Sequence, residues 1–254
     1  MTQYKTQAIT IKSHNLNESD KIIVMYSRDH GIIRCVAKGV KKPTSKLGGR
    51  MDLLIANDLL VYKGKNLDIA LQAQTIDTFK GIRKDISKLT YAMHCAELLN
   101  NFGMEEDSNS SKIYDLFINT LKNIDLATDN TELMWSVVRF QLKLMELLGY
   151  AVELNTCAKC NCDIENDAYA FCSESGGIIC GKCAETASNY FELNPDMRSV
   201  LKQAQVFDFS CRSDYDRVSS IEMTLNCCFN ILKDYVSQRS HKKLKSSELI
   251  ECLC

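Results

Sequence analysis

Lys21-Ile22-Ile23-Val24-Met25-Tyr26-Ser27-Arg28-Asp29-His30-Gly31-Ile32-Ile33-Arg34-Cys35-Val36-Ala37 reads as two β-strands around a turn. Residues 21–26 and 32–37 are rich in β-branched and apolar side chains, the composition of strands. Arg28-Asp29-His30-Gly31 separates them, and Gly31 is free to take the positive φ that such a turn requires. Working outward, Gln7-Ala8-Ile9-Thr10-Ile11 alternates on the N-terminal side. On the other side Leu53-Leu54-Ile55 and Leu59-Leu60-Val61-Tyr62 are apolar, Lys63-Gly64-Lys65-Asn66 turns the chain, and Leu67–Gln72 alternates again. About five strands therefore occupy residues 1–80. A small antiparallel barrel is the natural closure, because it leaves no edge strand exposed.

The hairpin leads into Arg34–Arg50, RCVAKGVKKPTSKLGGR, with six cations and no acid: Arg34, Lys38, Lys41, Lys42, Lys46 and Arg50. Gly39, Pro43, Gly48 and Gly49 make its middle a loop. Such a loop either leaves its cations in water, as many solubilising loops do, or offers them to a polyanionic backbone. The charge distribution favours a partner. Residues 1–80 carry 13 Lys and Arg against 7 Asp and Glu, whereas the rest of the chain carries 18 against 25. A cationic front and an acidic rear imply two surfaces with different partners.

From about residue 83 the apolar period becomes helical. Ile86, Leu89, Met93, Ala96 and Leu99 mark one face, with Gly103 as C-cap. Ile113, Leu116, Phe117, Leu121 and Ile124 mark a second helix. Asp129 with Glu132 resembles a capping box opening a third, which runs to Leu148 and stops at Gly149. That helix is apolar on most of its circumference, so it belongs at the centre of a helical domain, with Trp135 in its core. Asn194-Pro195 opens a fourth. Asp214 or Asp216 opens a last one, with Ile221, Leu225, Cys228, Leu232 and Val236 inward and the basic tail Arg239–Lys245 behind it.

Six of the thirteen cysteines fall between residues 155 and 185. Cys157-Ala158-Lys159-Cys160 and Cys180-Gly181-Lys182-Cys183 are two C-x-x-C knuckles with nineteen residues between them. Two such turns complete a tetrahedral site, and the spacing is that of zinc ribbons. Four thiolates close the coordination sphere, so the zinc is structural. Cys162 makes the register C-x-x-C-x-C and is able to substitute for a neighbour, and Cys172 is either a spare thiol or a ligand. Cys35, Cys95, Cys211, Cys227 and Cys228 read as free buried thiols. The charges between the knuckles, Asp163, Glu165, Asp167 and Glu174, are all acidic. The ribbon is therefore expected to scaffold or to meet protein rather than DNA.

Catalytic signatures are missing. There is no phosphate-binding G-x-x-x-x-G-K-[ST], no G-x-S-x-G, no H-E-x-x-H and no G-x-G-x-x-G. His14, His30, His94 and His241 are scattered and read as surface or core histidines, and Glu18 and Asp20 as solvated loop carboxylates. No signal-peptide core or membrane-spanning run is present, so a cytoplasmic protein is expected.

Several stretches together resemble one family. They are Leu16-Asn17-Glu18-Ser19-Asp20-Lys21, then Gly31 opening its strand, then Ala37–Pro43 with Ser45-Lys46-Leu47. Further on come Leu147-Leu148-Gly149-Tyr150, the first knuckle, Gly176-Gly177 before the second, and Leu244-Lys245-Ser246. In this order, across nearly the whole chain, they resemble RecO, the bacterial recombination mediator of DNA repair. The resemblance implies an α+β protein. An N-terminal five-stranded OB-fold DNA-binding barrel (1–80) is followed by an all-helical domain (81–254) with an embedded four-cysteine zinc ribbon (155–185). It also implies a non-enzymatic protein that binds single- and double-stranded DNA and anneals complementary strands. Its partners would be RecR and single-stranded-DNA-binding protein, with RecA loaded in consequence. DNA contact then falls on Arg34, Lys38, Lys41, Lys42, Lys46 and Arg50, and zinc on Cys157, Cys160, Cys180 and Cys183. With only Tyr4, Tyr26, Tyr62 and Phe79 in residues 1–80, phosphate contact should outweigh base stacking. The competing readings are a scaffold whose basic barrel binds acidic polypeptides and a thiol redox enzyme.

Overall fold

A computed structural model describes residues 2–164, 169–206, 220–240 and 244–251. The chain forms two compact units, Met1–Asp125 and Leu126–Cys254. The first therefore holds not only the barrel but also the two helices that follow it.

The barrel is closed in the order β1-β2-β3-β5-β4, from β1 (Gln3–Asn15), β2 (Lys21–Ser27), β3 (Gly31–Ala37), β4 (Ala56–Tyr62) and β5 (Asp68–Asp77). This is the five-stranded OB-fold-like barrel expected from the sequence. One pairing departs from the antiparallel scheme: β3 and β5 run parallel through Cys35↔Asp68 and Val36↔Ile69. The reason is parity, because five strands around a ring cannot alternate direction throughout. Leu53-Leu54-Ile55 is not a strand. Leu54 takes φ 57° and donates its N–H to the Thr10 carbonyl at 2.9 Å before β4 begins. Alternation buries Ala8, Ile23, Met25, Ile33, Cys35, Leu59, Val61 and Ala70 inside, and Val40, Leu47 and Met51 of the long β3–β4 connection close over them. Gly31 has φ +63°, and a Cβ there would lie 2.2 Å from the Met104 carbonyl oxygen.

Helix α1 (Ile86–Phe102) starts at Asp85, whose side chain accepts from the N–H groups of Ser87 and Lys88, and ends at Gly103. His94 is fully buried in it. After α2 (Ser110–Leu126), the Asp125 carboxylate accepts the Ile82 N–H at 2.8 Å and its carbonyl accepts the Lys88 ammonium at 2.8 Å.

In the second unit α3 (Asn130–Leu147) is capped by Asp129, which accepts the Glu132 N–H at 2.9 Å. Glu132 reaches back to the Thr128 N–H, one residue earlier than in the usual capping box. Tyr150 N–H to Met145 and Gly149 N–H to Glu146 end the helix in a Schellman motif, with Gly149 at φ +84°. Trp135 is 1% exposed, as expected of a central helix. Against α3 pack α5 (Pro195–Val206) and α6 (Ile221–Arg239). Asn194 caps α5 by accepting the Met197 N–H at 2.8 Å. The expected helix starts at Asp214 and Asp216 lie outside the described residues, as do His241, Lys242 and Lys243. Arg239 is not part of a free basic tail. It donates to the Ser173 carbonyl at 3.0 Å and lies 3.6 Å over the Tyr235 ring. Cys227 is exposed while its neighbour Cys228 is buried, because adjacent helix positions point about 100° apart, and Cys211 lies outside the described residues. Helix α7 (Ser246–Glu251) follows. No helix among the described residues is long and apolar enough to cross a membrane.

Candidate nucleic-acid interface and metal centre

The basic connection is held by the loop before β2. Asn17 Oδ1 accepts the N–H groups of Ser19 and Asp20 at 3.0 and 2.7 Å, an Asx turn that fixes the backbone at Asp20. Asp20 Oδ1 then accepts the Gly39 N–H at 2.7 Å. The Ser19 carbonyl accepts the Lys41 N–H at 3.0 Å, and the Asn17 carbonyl accepts the Lys41 ammonium at 2.7 Å. The Gly39 N–H, followed by the Asn17 and Ser19 side chains, holds the Asp20 carboxyl below its usual range. Asp20 is therefore a positioning residue, not the solvated carboxylate that its loop sequence implied.

All six cations are exposed, but they do not share one environment. Lys38, Lys41 and Lys42 crown the turn that Asp20 anchors. Lys46 and Arg50 stand further along, on the 3-10 turn Gly48–Met51 and its approach. Arg34 projects from β3 and ion-pairs with Glu105. The cause is local: Ile32 N–H donates to the Met104 carbonyl at 2.9 Å, laying residues 104–106 along β3. Among the described residues it is the one cation of the six with a salt bridge to a carboxylate. Of the four aromatics, Tyr26 and Phe79 are buried, and the Tyr4 hydroxyl donates to Asp68 at 2.5 Å.

A cleft of about 1160 Å³ opens on the barrel beside Lys46 and Arg50, bounded by β1, β4 and β5. Lys5, Gln72 and Gln74 line it as well, together with Asp29 and Asp58. Sequence reading missed these residues because alternation along a strand says which residues point outward, not which strands become neighbours.

The second centre is the cysteine ribbon, a three-stranded sheet in the order β7-β6-β8 from β6 (Tyr169–Cys172), β7 (Gly177–Cys180) and β8 (Phe191–Glu192). Gly176, at φ +92°, makes the β6–β7 reversal, and Gly177 lies so close to Glu153 that a Cβ would sit 2.2 Å from its carbonyl oxygen. The short helix α4 (Gly181–Ala184) follows β7. The sulfurs of Cys157, Cys160, Cys162 and Cys180 all lie within 4.8 Å of one another, a group able to hold a metal ion. Cys160 Sγ is 3.8 Å from Cys180 Sγ, against a tetrahedral edge of about 3.8 Å for sulfurs about 2.3 Å from a central ion. Cys183, the fourth knuckle cysteine, is not in this group; Cys162 stands in its place. Burial pushes the Cys157 thiol up. The backbone N–H groups of Cys180, Cys160 and Lys159 outweigh that and bring it down to about 6, toward the thiolate that binds metal. Cys172 is buried among Cys157, Ala170 and Ile179 and accepts from the Ser175 hydroxyl at 3.3 Å, which makes it core. Glu165 and Asp167 lie outside the described residues. Far from the ribbon in sequence, burial holds the Cys35 and Cys228 thiols up at about 12, so both are inert at neutral pH.

Two family models match the chain. "Recombination protein O N terminal" covers residues 1–79 and "Recombination protein O C terminal" covers residues 83–248. A DNA repair protein RecO from Pelotomaculum thermopropionicum is 33% identical over 80% of this chain and 77% of its own length. Those of Desulforamulus reducens and Acetivibrio thermocellus are each 28% identical over the whole of this chain and over 96% and 98% of theirs.

Proposed function

The chain belongs to the RecO family of DNA repair proteins, and on that premise we propose that it is a non-catalytic recombination mediator whose barrel binds DNA phosphates. The observation that carries this reading is the anchored basic turn. A carboxylate, Asp20, holds the backbone of the turn at Gly39, while the lysines around it keep their charges exposed. Residues 1–80 are the DNA-binding barrel, with α1 and α2 in the same compact unit, and the helical part of residues 81–254 meets protein partners. Lys38, Lys41, Lys42, Lys46 and Arg50 contact the backbone of single- and double-stranded DNA. Arg34 joins them only by giving up Glu105. Few aromatics are free to stack on bases, so binding is tolerant of sequence.

Cys157, Cys160, Cys180 and Cys183 hold one zinc ion, with Cys162 placed to replace a neighbour. Soft thiolate donors in tetrahedral array suit zinc, which here stabilises the ribbon. The protein anneals complementary strands, acts with RecR and single-stranded-DNA-binding protein to let RecA load, and works in the cytoplasm on the nucleoid.

The decisive assay is annealing of complementary oligonucleotides already coated with single-stranded-DNA-binding protein. The wild-type chain should accelerate it, and reversal of Lys41 and Lys42 to Glu should weaken binding to every sequence alike. Unchanged affinity in the reversed variant would reduce the turn to a solubilising loop.

A further inference from the structure

We propose that one strand of nucleic acid lies in the cleft between the Gly48–Met51 turn and the outer face of β4 and β5, its phosphates on Lys5, Lys46 and Arg50. The inference rests on the DNA-binding reading and adds to it a path, a new contact residue and a preference for single strands.

The cleft floor follows from strand register. Lys5 pairs with Leu60, and Leu60 with Gln72, so these three form one row across β1, β4 and β5. Gln7, Asp58 and Gln74 form the next row on the same side. Thr6, Leu59 and Val61 alternate inward and are buried. The outward rows thus offer side-chain amides for bases and sugars, a partly exposed Leu60 and one lysine, and the register shift between Gln72 and Ala70 adds a 40% exposed Leu71 for base faces.

The wall is built rather than draped. Asn57 is fully buried, and its side-chain N–H donates to the Arg50 carbonyl at 2.7 Å while its Oδ1 accepts the Thr75 hydroxyl at 3.2 Å. Leu47 and Met51 are buried on either side of the turn. Arg50 and Lys46 are thereby held at the mouth. Among the described residues neither they nor Lys5 form a salt bridge to a carboxylate. Two carboxylates also line the cleft. Asp29 accepts the Thr6 hydroxyl at 2.7 Å, and Asp58 lies on the floor two positions along β4 from Leu60. Three cations against two acids leave the balance positive.

Size then selects the ligand. At about 1160 Å³ the cleft is slightly larger than the roughly 300–1,000 Å³ of small-ligand pockets. It admits a few nucleotides of one strand and not a duplex, whose paired bases keep it wide. A duplex stays outside, on the turn with Lys38, Lys41 and Lys42 and on Lys46 and Arg50 at the mouth, and does not reach Lys5.

The test uses the full chain, a thymidine oligomer and a duplex of equal length, with binding followed by fluorescence anisotropy. Lys5→Glu should weaken single-strand binding and lower its salt slope by about 1 or more, leaving duplex binding within about twofold, whereas Lys41→Glu should weaken both. Lys5→Ala should act in the same direction with a smaller effect. Photocrosslinks from 4-thiothymidine in the oligomer to the unaltered chain should map to residues 58–60 or 71–75. Crosslinks confined to 38–42, with single-strand affinity indifferent to Lys5, would overturn the path and leave the DNA-binding reading standing. No binding by the wild-type chain at all would remove both. Lys5-dependent capture of polyglutamate, without any Lys5 effect on DNA, would also overturn the proposal and give the cleft to an acidic polypeptide.

Discussion

Asp20 shows how one side chain does work that its neighbours in sequence conceal. Leu16–Asp20 is polar and turn-like, so a solvated loop explains its composition fully. Only the approach of Gly39, nineteen positions later, reveals what the carboxylate holds. The Gly39 N–H is the first cause of its lowered carboxyl value, and the sign of the consequence is fixed. A group with a depressed folded-state value contributes fully above the unfolded carboxyl value of about 3.9, and loses that contribution as pH falls through the folded one. The Gly39 amide should therefore be protected from hydrogen exchange at neutral pH and lose protection in acid. Asp20→Ala should remove the protection at neutral pH too, while the β2–β3 amides keep theirs. Equal exchange at Gly39 in both proteins would show that the turn stands without its anchor. Gly31 was readable in advance as a positive-φ turn residue. Its second constraint, the Met104 carbonyl against its missing Cβ, was not, because the contact spans 73 positions.

The cysteine ribbon is the element whose chemistry was most legible, since ligand type and spacing are local properties of a chain. The paired C-x-x-C turns supply three of the four clustered sulfurs, those of Cys157, Cys160 and Cys180, and Gly176 reversed the strand where expected. What spacing did not resolve was membership. Cys162 lies in the tight sulfur group and Cys172 in the ribbon core, although either reads as a spare ligand. The β6 and β7 strands are four residues each, too short to stand alone. Metal binding in such peptides contributes on the order of 10 kcal/mol or more. The purified chain should carry one equivalent of zinc. Removing it with a mercurial reagent and chelator should expose the amides of Ile178 and Cys180 to exchange while those of β2 stay protected. A ribbon equally protected without metal would mean that Phe171, Ile178 and Ile179 suffice to hold it. The helices tell a similar story at their ends. Asp129 and Asn194 cap the helices that the sequence starts there, and Asp85 caps α1, because caps are decided within four residues.

At the scale of the molecule, charge is what the two ends of the chain contribute differently. Lys5, Lys38, Lys41, Lys42, Lys46 and Arg50 are six exposed cations, all within the barrel and its long connection. Six phosphate contacts on a single strand give a slope of log affinity against log salt near −4. Raising salt from about 50 to about 200 mM should then weaken binding by roughly a few hundredfold. A slope near −1, measured by anisotropy titration, would leave most of these charges in water. The sequence by itself determined the five strands, the capped helices, the cysteine knuckles and the supply of cations, because periodicity, caps and cysteine spacing are written within a few residues. Tertiary structure alone decided which strands became neighbours and so where the cleft opens. It also decided that Arg34 is spent on Glu105, that Asp20 anchors the basic turn, and that α1 and α2 belong with the barrel. Each of these depends on groups far apart in the chain being brought together, and no local pattern encodes such an approach.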